Sequence, residues 1–101
     1  MNTTTNGPTA ADYAEYSDTV LFDVMYEAGT YLGGCLVELE RRAEDEGDAD
    51  GAARWAQEDL ELARERRGVD ARDRQAQIAA LLRWRARADE LRPILGLGVV
   101  G

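Results

Sequence analysis

The chain has 101 residues, with 20 Asp and Glu set against 12 basic residues that are all Arg, giving a formal charge of −8. It contains no His and no Lys, one Ser (Ser17) and one Cys (Cys35). Without imidazole the chain lacks the usual general base, the base of a catalytic triad and the commonest metal ligand; without lysine it lacks Schiff-base chemistry and the phosphate grip of nucleotide-binding loops.

Residues 1–9, polar with a Gly-Pro pair, read as a disordered tail leading into a helix capped by Thr9 or Asp12. Apolar residues then recur at 13, 16, 20, 21, 24, 25, 28, 31, 32, 35, 36 and 39, steps of three and four that predict an amphipathic helix. Gly29, Gly33 and Gly34 each cost about 1 kcal/mol relative to Ala inside a helix, so a kink or break is expected there. Glu44 to Gly51 reads as an acidic loop. The next helix is expected to start near Asp50, to carry Trp55, Leu60 and Leu62, and to stop at Gly68. Asp70 is expected to cap a third helix bearing Ile78, Leu81, Leu82, Trp84, Ala88, Leu91 and Leu95, with Pro93 at or just past its end. Residues 96–101 are uncharged, glycine-rich and expected to be flexible.

The resulting expectation is one all-α domain over residues 10–95. It is a small bundle of three helices, or four where the first is broken, with a long apolar N-terminal helix packed on an antiparallel helical hairpin. The longest uncharged internal run, residues 28–37, is far short of the roughly 20 residues that span a bilayer, so no membrane span is expected. A lone cysteine and an N-terminus without a basic, apolar leader point to the cytoplasm.

Apolar content is unevenly distributed. From Val20 to Tyr26 only Asp23 is polar, whereas the second helix offers three larger apolar residues and the third about six. A helix that is hydrophobic all round must be covered all round, and two modest helices cover one face. Either the first helix breaks at its glycines and its halves cover each other, or another protein or a second copy of the chain covers the rest, with Gly29 and Gly33 permitting close approach. Val20, Phe22, Met25, Tyr26 and Leu32, with Asp23 and Glu27 as charged companions, are the expected partner-binding residues.

Charge is uneven too: residues 1–50 carry a balance of −10 and residues 51–101 a balance of +2. Acids at 12, 15, 18, 23 and 27, and a second group from 38 to 50, give a negative stripe suited to a basic groove and repellent to phosphate.

Three short motifs carry partial resemblances. With Gly51 as the obligatory glycine, Asp48 and Asp50 fall on ligand positions of a twelve-residue loop that resembles an EF-hand in part. Glu46, Ala53 and Gln57 depart from its first, eighth and twelfth positions. Glu58-x-x-Glu61 resembles the first magnesium-binding pair of MazG-type nucleotide pyrophosphohydrolases; Asp70-x-x-Asp73 stands where the second would be but begins with the wrong residue. Arg74 to Leu82 resembles the opening helix of helix-turn-helix DNA readers, although no turn glycine precedes Gly96. Arg83, Arg85 and Arg87 around Trp84 could grip phosphate and stack a base, or form a solvated face with Trp84 packed inward.

A non-catalytic protein-binding module of antitoxin, immunity or inhibitor type is the leading expectation, with no cofactor and no metal, and with a protein partner, a homodimer or both. A nucleic-acid-associated regulator using the third helix is the first alternative, although the acidic half opposes it. A MazG-like carboxylate-metal enzyme is the second.

Overall fold

A computed structural model describes residues 8–97. The rest of the expected tails, residues 1–7 and 98–101, lies outside the described residues. Four helices follow in order: α1 (Ala10–Tyr13), α2 (Asp18–Asp45), α3 (Ala49–Gly68) and α4 (Arg74–Leu95). There is no strand among the described residues, and the all-α expectation of a long first helix with a helical hairpin holds.

Each helix begins on a short polar side chain that accepts an otherwise orphaned backbone N–H. Thr9 and Asp12 form a reciprocal capping box on α1, and Ser17 accepts the Val20 N–H at 3.2 Å. Asp48 accepts the Gly51 N–H at 2.9 Å, and Asp73 accepts the Ala76 N–H at 3.0 Å. Gly96, at φ 82°, closes α4 in the left-handed conformation that glycine adopts without steric cost.

The break in the first helix lies elsewhere than expected. α2 runs unbroken through Gly29, Gly33 and Gly34, and the chain instead turns at residues 14–17. Ser17 caps a new helix there, and Arg74 at the start of α4 fastens the turn. Its guanidinium donates to the Asp18 carboxylate at 2.6 Å and to the carbonyls of Ala14 and Tyr16 at 3.1 and 2.7 Å. The turn lets Tyr13 fold into the core, fully buried and edge-on to Tyr16, although its hydroxyl finds no hydrogen-bond partner among the described residues. Gly29 serves packing within the chain: a Cβ there would stand 3.2 Å from the Trp84 ring and 2.9 Å from Arg66 Nε. The cap of α4 is likewise Asp73 in place of Asp70, which closes a local turn by accepting the Arg72 N–H at 2.8 Å. Pro93 sits inside the last turn of α4, which continues to Leu95.

α2 is the central element and packs along both α3 and α4. α3 runs antiparallel to it, with Arg66 near Thr30 and Leu62 near Gly33. α4 runs parallel to it, from Arg74 at Asp18 to Arg92 at Tyr31. The core is the inward stripe of α2 (Leu21, Met25, Leu32, Leu36 and Leu39) closed by Leu62 of α3 and by Leu81, Trp84, Leu91 and Leu95 of α4. Of the three larger apolar residues of α3 only Leu62 is buried; Leu60 is 55% exposed. α3 and α4 meet mainly through long side chains, and the Cα trace is a slab of 46 × 36 × 15 Å.

Candidate interaction surface on α2

The seven residues expected to bind a partner divide between two faces of one helix. Met25 and Leu32 are 5% and 3% exposed and belong to the chain's own core. They are corrected from partner-binding to core residues, because α3 and α4 together cover the inward half of the segment expected to be apolar all round. Val20, Phe22 and Tyr26 remain 47%, 38% and 55% exposed, and Asp23 and Glu27 are exposed beside them.

At about 100° per residue, Asp23 and Glu27 form a ridge that separates two apolar strips. On the α3 side Phe22 and Tyr26 pack ring against ring, with centroids 6.3 Å apart. The Arg66 guanidinium lies 5.0 Å from the Tyr26 ring centroid and donates to Thr30 Oγ1 at 3.0 Å, which holds the aromatic pair in place. On the α4 side Val24, Ala28 and Tyr31 line a groove of about 300 Å³ against Ala88. Tyr31 and Val37, 44% and 52% exposed, extend the apolar surface beyond the expected residues. The apolar repeat skips 22, 26 and 37, so their exposure could have been read from the sequence. Arg66 is 40 positions from Tyr26, and no local signal announces it.

Neither Asp23 nor Glu27 forms an ion pair among the described residues. The C-terminal part of α2 is different. Glu38 accepts from Arg41 and Arg42 at 2.7 and 2.9 Å, and Arg41 reaches on to Asp45 at 2.9 Å. Hydrogen bonds from the two guanidinium groups hold the Glu38 carboxyl below its ordinary range. Glu38 and Asp45 are thus paired with arginines of α2 itself, whereas Asp23 and Glu27 are not.

The motifs of α3 and α4 are used within the fold. Trp84 is buried, and its indole N–H donates to Glu65 at 2.8 Å, so its ring offers no stacking platform. Arg87 forks onto Glu58 at 2.7 and 2.9 Å and reaches Glu90 at 2.8 Å; these carboxylates raise its pKa. Arg83 reaches Glu65 at 3.4 Å. Glu58 and Glu61 thus face a guanidinium and the Gln57 amide, while Asp70 and Asp73 accept backbone N–H groups in the turn beyond Gly68, about 15 Å along α3 from Glu58. The two acidic pairs do not come together, and no group of three or more metal-ligating side chains occurs among the described residues. The EF-hand-like stretch is helical from Ala49 onward, so it cannot wrap an ion. The stretch resembling a helix-turn-helix opening continues as one helix to Leu95, where that motif would turn after Leu82.

Comparison with protein-family models, curated proteins and solved structures finds no match to this chain. No helix of the described residues is long and apolar enough to cross a membrane.

Proposed function

We propose that the protein is a non-catalytic binding module of the antitoxin, immunity or inhibitor kind, acting in the cytoplasm, whose outer α2 face docks on a partner that is both basic and apolar. One observation carries this reading: unpaired Asp23 and Glu27 stand between exposed Val20, Phe22 and Tyr26 on a helix whose inner face is already complete. Aromatic side chains supply most of the energy in typical interfaces, and unpaired acids steer a basic partner and fix its register. The pairing of Arg83 and Arg87 with acids of α3, together with the buried Trp84, favours this reading over nucleic-acid binding.

The test is affinity capture from the source cells with the wild type and with the Asp23→Arg/Glu27→Arg variant. A basic protein retained by the wild type at low salt, released at high salt, and retained at least about tenfold less by the variant is the expected result. Recovery of the same proteins by both baits would overturn the proposal.

A further inference from the structure

A second surface lies on the α4 side of the same helix, and its charge differs from that of the ridge. The groove beneath Val24 and Ala28 and a neighbouring one of about 380 Å³ beside Gly34, Cys35, Leu95 and Leu97 share Tyr31 as a common wall. They form one track of mixed apolar and charged side chains along the α2–α4 seam, on which Tyr31 and Leu97 are 44% and 53% exposed. Its charged lining is Glu27, Glu38 and Asp89 against Arg42, Arg85 and Arg92, which sums to zero. The groove between α3 and α4 has four carboxylates, Glu58, Glu61, Glu65 and Glu90, against Arg83 and Arg87. The outer ridge carries acids alone.

We infer that the chain forms a two-fold homodimer through this α2–α4 seam, the occupant of the track being the same track of a second copy. Two molecules of charge −8 repel each other, and their association is least opposed where the facing surfaces are neutral. A patch holding both signs can place acid against base when it meets itself across a two-fold axis, as an isologous interface requires. A purely acidic patch cannot. A basic hetero-partner gains no electrostatic attraction from a neutral track, which argues for a second copy as its occupant. The inference goes beyond the docking of a basic partner on the ridge: the two surfaces share only Glu27 at their border, the track lies on the α4 side of it and the ridge on the Asp23 side, and the expected dependence on salt is opposite.

Sedimentation equilibrium of the full chain tests it. A dimer is expected whose affinity rises about threefold or more between 50 and 500 mM NaCl, as salt screens the like charge of the two copies. Arg85 is exposed and forms no ion pair among the described residues, so Arg85→Glu is not expected to disturb the fold. It makes the track net negative and should weaken the dimer at least about tenfold, whereas Arg85→Glu/Asp89→Arg restores neutrality and should recover affinity to within about threefold. As a check without substitution, amide shifts of the wild type on dilution should centre on Ala28, Tyr31, Ala88 and Leu97. A monomer at millimolar concentration, a dimer that weakens with salt, indifference to Arg85→Glu, or dilution shifts centred on α3 would each overturn the inference. Asp23 lines no part of the track, so Asp23→Arg alone separates the two readings: it should weaken partner capture while leaving the dimer within about threefold of the wild type.

Discussion

Met25 and Phe22 are both large and apolar and lie three residues apart on one helix, yet Met25 is 5% exposed and Phe22 38%. The same contrast runs the length of α2: Leu21, Leu32 and Leu36 face α3 and α4, while Val20, Tyr26 and Val37 face away. Hydrophobicity alone therefore does not tell what an apolar residue of this helix is for. The inward stripe supplies the fold. The outward residues are only partly covered within the chain, so removing one should cost less than removing an inward one.

That division can be broken by substitution. The largest loss is expected at Leu36→Ala, about 2–5 kcal/mol, because the residue is fully buried where all three long helices meet. Chemical denaturation measures it, and a loss comparable to that of an outward residue would erase the contrast. Trp84→Phe keeps most of the ring but removes the donor to Glu65, whose partial exposure limits the loss to about 1–2 kcal/mol. Arg74→Ala is expected to cost about 1 kcal/mol by releasing the turn at residues 14–17, and faster amide exchange in α1 should accompany it. Phe22→Ala and Tyr26→Ala should each cost about 1 kcal/mol or less, because each ring is only partly covered, the second including its contact with Arg66.

The smallest effect is on pH dependence. Because Arg41 and Arg42 lower the folded pKa of Glu38, its contribution is present above the ordinary carboxyl value of 4.5 and is lost as pH falls through the lower folded value. Glu38→Gln should therefore reduce the melting temperature at neutral pH and flatten part of its decline in acid. An unchanged acid limb would remove Glu38 from the account of that decline.

How much of this was legible in the sequence depended on whether the deciding contact was local. The helical class followed from the three- and four-residue spacing, and residues 25 and 32 belong to that spacing while 22, 26 and 37 do not. Absence from the repeat therefore already marked 22, 26 and 37 as surface, but membership did not guarantee burial: Val20 and Tyr31 lie in the repeat and are 47% and 44% exposed, at its edge. The break at Ser17 was decided by a strong local cap together with Arg74, 57 positions away, which composition does not reveal. Gly29 tells the same story: its cost inside a helix is local, but the reason it is needed there is the approach of Trp84 and Arg66. Asp70 and Asp73 are chemically equivalent caps. Gln77, buried and donating to the Asp70 carbonyl at 3.2 Å, helps fix the turn that leaves Asp73 as the cap of α4. The acidic ridge was legible as charge along one helix face, whereas the neutrality of the α2–α4 seam arises from residues brought together only by the fold.

The most direct measurement of the division between the faces of α2 is a side-by-side comparison of Phe22→Ala/Tyr26→Ala and Leu36→Ala for melting temperature and partner retention. The outward double variant should melt above Leu36→Ala and lose at least about tenfold in retained partner, while Leu36→Ala should melt at least about 10 °C below the wild type. An outward variant that destabilises as much as Leu36→Ala, or that keeps its partner undiminished, would contradict the assignment of the outer face of α2 to binding.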